Sequence, residues 1–433
     1  MERWLAALLL VGGLGAARSA EVGAPTYFRD VERILQKHCQ ECHRAGQIAP
    51  FPLLTYEHAR KRASDLARVV ETRSMPPWSA STKEGGPFRD ARMLSDEEVA
   101  TLAAWARARA PRGDVKDAPA PKRWDSVWPL GQPDVVLSMP EPFALGGDGD
   151  DEYRVFVIPT GLAEGRWVTA IDYRPGNPRV VHHVIAALDT KKLARILDKA
   201  DPLPGYRVFG GFGVFPGGAL GGWSPGKFPV PAPEGTAYYL PADSDILLQV
   251  HYHKTGKPET DASVLGLYFS RTAVDKELRG KTVTPPRPGP LEAPRLLIPA
   301  GKQNQEVAGA LEIDENMHLV SVTPHMHWLG KDFLLRARRP DGRTQTLIKI
   351  GRWDFNWQGT YEFVTPVALP KGTQIELIAH FDNSESNIHN ARKPPLDVRW
   401  GERAYDEMCI GFLNVTYDDE HRGNSVPGRV EKD

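Results

Sequence analysis

The sequence predicts a multidomain protein, in which a small all-α segment is followed by two all-β sandwich domains. Apolar residues recur at helical spacing within residues 24–112, whereas short runs rich in β-branched and aromatic residues follow one another after residue 131. Proline-rich stretches at 110–130 and 284–294 separate the three parts. A length of 433 residues also agrees with about three domains.

Composition and charge exclude several classes of partner. Hydrophobic residues make up 41% of the chain and charged residues 25%, which is typical of a soluble globular protein. The formal net charge of −1 predicts no electrostatic attraction to nucleic acid or to an anionic membrane surface. The chain has only three cysteines, and two of them, Cys39 and Cys42, belong to the Cys-x-x-Cys-His motif described below. We therefore expect the chain to be free of disulfides.

The first 20 residues have the pattern of a secretory signal peptide. Arg3 precedes an apolar run at residues 4–14, and small residues follow it. The alternative, an uncleaved anchor helix, is disfavoured because the apolar run is too short to span a bilayer. We therefore expect an exported protein, periplasmic or secreted, with no membrane span in the mature chain.

The segment 24–112 carries a motif for covalent haem. A helical apolar stripe leads into Cys39-Gln-Glu-Cys42-His43, and Cys-x-x-Cys-His is the attachment signature of c-type haem. The two thiols bond to the haem vinyl groups, and the adjacent imidazole is the proximal iron ligand. A redox dithiol would not need the histidine, and a zinc site would need a second pair of ligands nearby. The motif therefore predicts haem.

Met75 is the predicted sixth ligand of the haem iron. It lies in Ser74-Met75-Pro76-Pro77, where two prolines stiffen the loop, and the sequence resembles the ligand loop of small bacterial cytochromes c. Met93 is the second candidate. A helix is predicted to begin at Ser95 with a capping box. Residues 24–112 are thus predicted to form a compact cytochrome c-like domain, followed by a stiff linker at 113–130.

The remaining chain reads as two β-sandwich domains, at 131–285 and 295–425. The predicted strands of the first domain are 153–158, 167–173, 180–188, 246–253 and 264–269. Those of the second domain are 319–323, 333–338, 374–381 and 408–417. Runs of this length separated by Gly/Pro clusters are typical of sandwich domains.

Histidines recur at positions suited to metal binding. Alternation along a strand places His325 and His327 on one face, and it places His251 on the same face as His253. His253 is therefore either a further ligand or a surface residue. The neighbours His182 and His183 can hold one metal only if their strand bulges or ends there.

The choice of metal depends on Met408, which begins an apolar strand. Imidazole suits copper, zinc and iron, whereas a thioether together with imidazoles selects copper. Zinc sites almost never include methionine. The pattern therefore predicts copper if Met408 is a ligand, and it leaves the metal open if Met408 only fills a core.

The order HH, QVHYH, PHMHWLG and DEM resembles the copper type II, ascorbate-dependent monooxygenases, the family of peptidylglycine α-hydroxylating monooxygenase and dopamine β-monooxygenase. The resemblance spans residues 131–420 and implies two jelly-roll-like sandwiches with a solvent cleft between them. It implies two copper sites, one on each sandwich, with these ligands: His182, His183 and His251 for one copper, and His325, His327 and Met408 for the other.

The resemblance also implies a reaction. Members insert one oxygen atom of O2 into a substrate C–H bond at the copper that has the methionine ligand, while the all-histidine copper relays electrons. The implied cofactors are two copper ions beside the one haem. The implied partners are O2, an unknown small-molecule or peptide substrate, and an electron donor, either an ascorbate-like reductant or a redox protein. The fused haem predicts that electrons pass from it to the all-histidine copper.

Two residues and two other functions stay open on the sequence alone. His380 is either close to a metal site or a surface residue, Cys409 reads as a buried thiol, and animal family members have disulfides that this chain lacks. The main alternative function is a haem/copper electron-transfer or copper-binding protein without oxygenase activity. A haem-fused copper nitrite reductase is disfavoured, because the His/Met spacing expected after its cysteine ligand is missing after Cys409.

Overall fold

The computed structural model describes residues 23–47, 49–124, 128–208, 211–289, 292–401, 403 and 405–422. Strands account for 37% of these described residues and helices for 13%, so this part of the protein is mostly β. The predicted signal peptide lies outside the described residues. Within the described ranges, every helix is too short or too polar to cross a membrane.

The N-terminal segment is mainly helical. Its elements are a π-helical turn Tyr27–Val31, α1 Glu32–His38, α2 Tyr56–Lys61, α3 Ala63–Glu71, β1 Ala80–Gly85, α4 Asp96–Arg107 and a 3-10 turn Val115–Asp117. The helices enclose an apolar core of their own, in which Tyr27, Leu35 and Trp105 are almost fully buried. Helix α4 begins with the predicted capping box, in which Ser95 and Glu98 each accept a hydrogen bond from the backbone N–H of the other.

The first β unit contains twelve strands and one helix among the described residues. They are β2 Val135–Ser138, β3 Phe143–Leu145, β4 Glu152–Pro159, β5 Arg166–Arg174, β6 Val181–Asp189, α5 Ala194–Ala200, β7 Tyr206–Arg207, β8 Gly218–Trp223, β9 Thr236–Leu240, β10 Asp245–Tyr252, β11 Glu259–Asp261, β12 Val264–Phe269 and β13 Lys276–Glu277. Two five-stranded sheets, ordered β7-β4-β10-β6-β8 and β13-β9-β5-β12-β2, enclose one apolar core. All five strands predicted here are confirmed.

The second β unit follows the same plan. Its strands are β14 Arg279–Val283, β15 Leu297–Ile298, β16 Gln305–Glu312, β17 Met317–Met326, β18 Gly330–Arg338, β19 Thr344–Ile350, β20 Tyr361–Leu369, β21 Gln374–Phe381, β22 Val398–Arg399 and β23 Cys409–Tyr417. The two main sheets have the orders β1-β19-β18-β21-β16 and β14-β23-β17-β20. The four strands predicted here are confirmed, and together with the first unit they establish a chain built of several packed sheets.

Two strands of the second unit come from earlier parts of the chain. Strand β1, from the N-terminal segment, pairs with β19 at the sheet edge, and β14, which precedes the proline-rich joint, pairs with β23. Trp78, just before β1, packs edge-on against Tyr361 with ring centroids 5.0 Å apart. The helical segment is therefore attached to the second unit by strand pairing and by aromatic packing.

Candidate metal centres

A β-bulge turns two neighbouring histidines toward the same side of their strand. In the pairing of β6 with β10, His183 lies opposite His251 and Val181 lies opposite Tyr252. His182 is therefore the extra residue on β6, and the local break in alternation lets both imidazoles face His251. Of the two alternatives that the sequence left, a bulge or a strand end, the structure has the bulge.

The three imidazoles meet at their Nδ1 atoms. His182 Nδ1 lies 3.2 Å from His251 Nδ1 and 3.3 Å from His183 Nδ1, and the remaining distance, His183 to His251, is 3.3 Å. A point equidistant from the three nitrogens is about 1.9 Å from each, close to a metal–imidazole bond of ~2.0 Å. We call these residues the three-histidine cluster. Its donor set and its dimensions fit a transition-metal ion.

Burial keeps the cluster in the protonation state that metal binding requires. It lowers the pKa of His182 to about 3 and that of His183 well below its usual range. Burial also lowers the pKa of His251, although the neighbouring Asp151 partly offsets this. The imidazoles are therefore neutral at physiological pH and keep lone pairs for a metal.

Asp151 orients the cluster from behind. His251 Nε2 donates to Asp151 Oδ2 at 2.7 Å, and His253 Nδ1 donates to Asp151 Oδ1 at 3.0 Å. Although burial acts to raise the pKa of Asp151, these hydrogen bonds hold it below its usual range. His253 is 63% exposed and lies outside the cluster, on the far side of the carboxylate. Asp151 was not singled out in the sequence, where it is one of three aspartates in the loop before β4.

The second pair of histidines lies at the end of β17. Met326 points into the apolar core, whereas His325 and His327 face the opposite way, with ring centroids 5.1 Å apart. His325 Nδ1 donates to Gln358 Oε1 at 2.5 Å, and His327 Nδ1 donates to the backbone oxygen of Asp406 at 3.1 Å. Both acceptors are oxygens, which leaves Nε2 of each ring with the free lone pair.

Met408 lies on the same wall as these two imidazoles, and the three residues form what we call the His–Met cluster. The next residue, Cys409, points the other way and is fully buried in the core, as expected from alternation. The buried Glu407 carboxylate accepts the backbone N–H groups of both His327 and Met408, at 2.8 and 3.2 Å. This carboxylate links the strand end at His327 to the start of β23.

Both clusters face one cavity between the two β units. Its volume is about 750 Å³, with His183 on the wall of the first unit and the whole His–Met cluster on the wall of the second. Burial lowers the pKa of His325 to about 4 and that of His327 to about 3. All the imidazoles around the cavity are therefore neutral metal-ligand donors.

A loop of the second unit, residues 353–360, connects the two clusters; we call it the bridging loop. The Phe355 ring stacks on His182 with centroids 4.9 Å apart at 20°, and its edge meets His327 at 6.0 Å. Because the same ring makes both contacts, the ring centroids of His182 and His327 are at most about 11 Å apart. The loop carries no metal-binding residue type apart from one aspartate, so nothing in the sequence drew attention to it.

The Cys-x-x-Cys-His motif forms a tight turn after α1. Cys39 and Cys42 are free thiols, and burial raises the pKa of Cys39 to about 12. His43 Nδ1 donates to the Phe51 carbonyl at 3.0 Å, so its Nε2 keeps the free lone pair. Covalent haem attachment requires two free thiols for the vinyl groups and one imidazole with a free lone pair for the iron, and this turn provides both.

The other candidate residues occupy separate places. Met75 is partly buried in the loop after α3, where its N–H donates to the Val69 carbonyl at 3.2 Å. Met93 is also partly buried, in the loop before α4. His380 lies in β21, in the sheet that does not contain β17, and it donates to Asp332 at 2.7 Å. His380 is therefore an ion-paired sheet residue and not a neighbour of either cluster.

Comparison with known proteins gives no family for this chain. No protein-family model and no curated protein matches it. Among solved structures, the major capsid protein P2 of bacteriophage PM2 is 11% identical with a TM-score of 0.26, covering 66% of this chain and 99% of that one. PNGF-II is 9% identical with a TM-score of 0.28 and covers 66% of each chain. Likenesses this weak carry no argument about function.

Proposed function

We propose that this protein is an exported dicopper monooxygenase that inserts one oxygen atom of O2 into a C–H bond of its substrate. Electrons are supplied through a c-type haem carried by residues 24–112. The observation that carries the proposal is the placement of the three-histidine cluster and the His–Met cluster around one cavity. Export rests on the apolar run at residues 4–14.

The donor sets favour copper in both sites. Three neutral imidazoles hold one ion, and two imidazoles with the Met408 thioether hold the other, a combination that selects copper over zinc. Copper at these positions would supply O2 binding and one-electron transfer. Asp151, Gln358 and the Asp406 carbonyl orient the imidazoles, and such hydrogen bonds raise the basicity of a ligand.

The cavity surrounds the proposed reaction site with mostly apolar surface. Apolar side chains from both units make up most of its wall, and the His–Met cluster faces it directly. A substrate C–H bond held in this cavity would lie against Met408 and the two imidazoles of that cluster. Exclusion of water at such a site limits side reactions of activated oxygen.

The helical segment supplies the haem in this proposal. This mainly helical segment, which also contains strand β1, would hold the haem covalently through Cys39 and Cys42, with His43 and Met75 as ligands of its iron. Strand β1 and Trp78 attach this domain to the second β unit. The attachment keeps the haem at a fixed position relative to the copper sites.

Metal analysis and oxygen uptake test the proposal together. The purified protein should contain two coppers and one c-type haem per chain, and it should consume O2 in the presence of ascorbate and a substrate with a reactive C–H bond. His325→Ala should remove one copper and abolish turnover while the haem spectrum stays unchanged. A protein that binds copper only at the three-histidine cluster would contradict the oxygenase proposal.

A haem/copper electron-transfer protein without oxygenase activity is the second candidate. The observation that favours it is the Phe355 ring, which contacts an imidazole of each cluster and so suits electron exchange between them. Rapid mixing with ascorbate distinguishes the two candidates. An electron-transfer protein would reduce haem and both coppers without substrate-dependent O2 uptake, whereas the monooxygenase would show such uptake.

A further inference from the structure

The wall of the cavity contains one lysine whose charge is incompletely paired. Lys227 lies in the loop between β8 and β9 of the first unit, and its side chain lines the cavity. Its Nζ donates to the Gly222 carbonyl at 2.7 Å and to Thr360 Oγ1, in the second unit, at 3.2 Å. An ammonium group has three N–H donors, so one remains for a ligand.

The charges around Lys227 leave an excess of positive charge. Within the described ranges, no carboxylate lies within 4.0 Å of its ammonium. The nearest acidic influence is Glu362, which also lines the cavity but is shared with Arg89, at 3.7 Å. Burial lowers the pKa of Lys227, and Glu362 offsets this only in part. A buried cation of this kind is stabilised by an anionic partner.

Two threonines connect Lys227 to the strand that carries the His–Met cluster. Thr360 Oγ1, which accepts from Lys227, is 2.8 Å from Thr323 Oγ1. Thr323 precedes His325 by two residues on the same face of β17, a spacing of about 7 Å along a strand. A ligand that contacts Lys227 therefore reaches the neighbourhood of His325 if its body extends along the cavity wall.

The rest of the wall is suited to an apolar body. Side chains from both units cover it with aromatic and aliphatic surface, including Ile171, Tyr173, Tyr238, Ile410, Phe412 and Leu413. A pocket of about 750 Å³ is within the range of sites that enclose a small organic molecule. The cavity therefore combines a large apolar surface with an ammonium group, that of Lys227, that has no carboxylate of the described residues within 4.0 Å.

We propose that Lys227 anchors the carboxylate of a mostly apolar carboxylic acid, such as an arylalkanoate, and so sets the substrate class of this site. The carboxylate accepts the third N–H of Lys227, and the apolar chain lies against the wall toward the His–Met cluster. The C–H bond that reaches this cluster is then several bonds away from the carboxylate. Oxidation there rests on the proposed function, whereas binding at Lys227 does not.

Binding of 4-phenylbutanoate to the full holoprotein, without reductant, tests this inference. Trp223 and Trp400 line the cavity, so their fluorescence reports occupancy, and calorimetry measures the affinity. The carboxylate should bind at least ten-fold more tightly than 4-phenylbutanamide, which has the same shape without the charge. Lys227→Met should remove that preference and leave the amide affinity unchanged, and Lys227→Arg should retain it.

Lys281→Met is the matched control. Lys281 also lines the cavity, but its ammonium is paired with Asp314 at 3.2 Å, so its loss should leave the affinity for 4-phenylbutanoate unchanged. Equal binding of acid and amide, or tighter binding of 4-phenylbutylamine, would overturn the inference even if Lys227→Met does not fold. Because no turnover is measured, absent O2 uptake would contradict the monooxygenase proposal without affecting this result.

Discussion

Single residues decide how each imidazole is presented. The extra residue His182 makes the bulge that lets two neighbouring side chains face one point. Asp151 and Gln358 then select which ring nitrogen of His251 and His325 carries the proton, because each offers an oxygen acceptor to one nitrogen only. Metal affinity at these sites should therefore depend on residues that touch no metal.

Asp151→Asn should weaken metal binding at the three-histidine cluster by about 10–100-fold, the usual effect of losing a partner that orients a ligand. Asparagine keeps the shape but not the charge that His251 contacts at 2.7 Å. Competition with a chromophoric copper chelator measures the change. His253→Gln is the control, because it removes only the exposed partner of Asp151, and an equal loss in both variants would contradict the argument.

Phe355→Ala should loosen the spacing between the two proposed copper sites. The Phe355 ring packs between His182 and His327. Without it the two imidazoles lose this shared contact, so the distribution of copper–copper distances should broaden. Pulsed dipolar EPR on the oxidised protein measures that distribution. Trp357→Ala, in the same loop, should leave it unchanged; a narrow distribution in both variants would show that Phe355 does not set the spacing.

At the scale of elements, the helix cap and the alternation along the strands are features that local sequence signals predict. The capping box at Ser95 and the alternation in β10 and β17 appear in the structure as the sequence indicates. Such features depend on contacts within a few residues, and for this reason they are readable from the chain. The bridging loop depends instead on contacts between the two β units, and no local sequence pattern predicts it.

Ser95→Ala should lower the free energy of unfolding of the helical segment by about 1 kcal/mol, because the first turn of α4 loses its side-chain acceptor. Denaturant unfolding followed by helix circular dichroism measures the change. Ser64, exposed within α3, supplies the control: Ser64→Ala should leave the midpoint unchanged or raise it slightly. A larger loss at Ser64 than at Ser95 would contradict the assigned cap.

At the scale of the whole molecule, the helical segment and the two β units are attached to each other at several points. Strand β1 extends a sheet of the second unit, and Arg92 donates to the Gly226 carbonyl in the loop that carries Lys227. Ser224 Oγ donates to the Gln358 carbonyl at 2.9 Å and so joins the two β units directly. These contacts place the haem motif and both histidine clusters on one connected framework.

Trp78→Ala should partly detach the helical segment from the second unit. The lost packing against Phe88 and Tyr361 should cost about 2–3 kcal/mol, since Trp78 is only partly buried. Limited proteolysis should then cut between α3 and α4 faster than in the unmodified protein, while unfolding of the β units stays unchanged. Equal cleavage rates would mean that the other contacts, such as the pairing of β1 with β19, hold the segment without Trp78.

The sequence by itself determined the strands, the helix cap, the Cys-x-x-Cys-His turn and the face on which His325 and His327 lie. Each follows from residue spacing of two to four positions, over which backbone geometry is the same in any fold. The family resemblance implied that His251 joins His182 and His183, but only the tertiary structure shows these three meeting, Phe355 contacting both clusters and Lys227 lining the cavity. Those contacts join residues 28 to 173 positions apart, and only the packing of sheets brings them together.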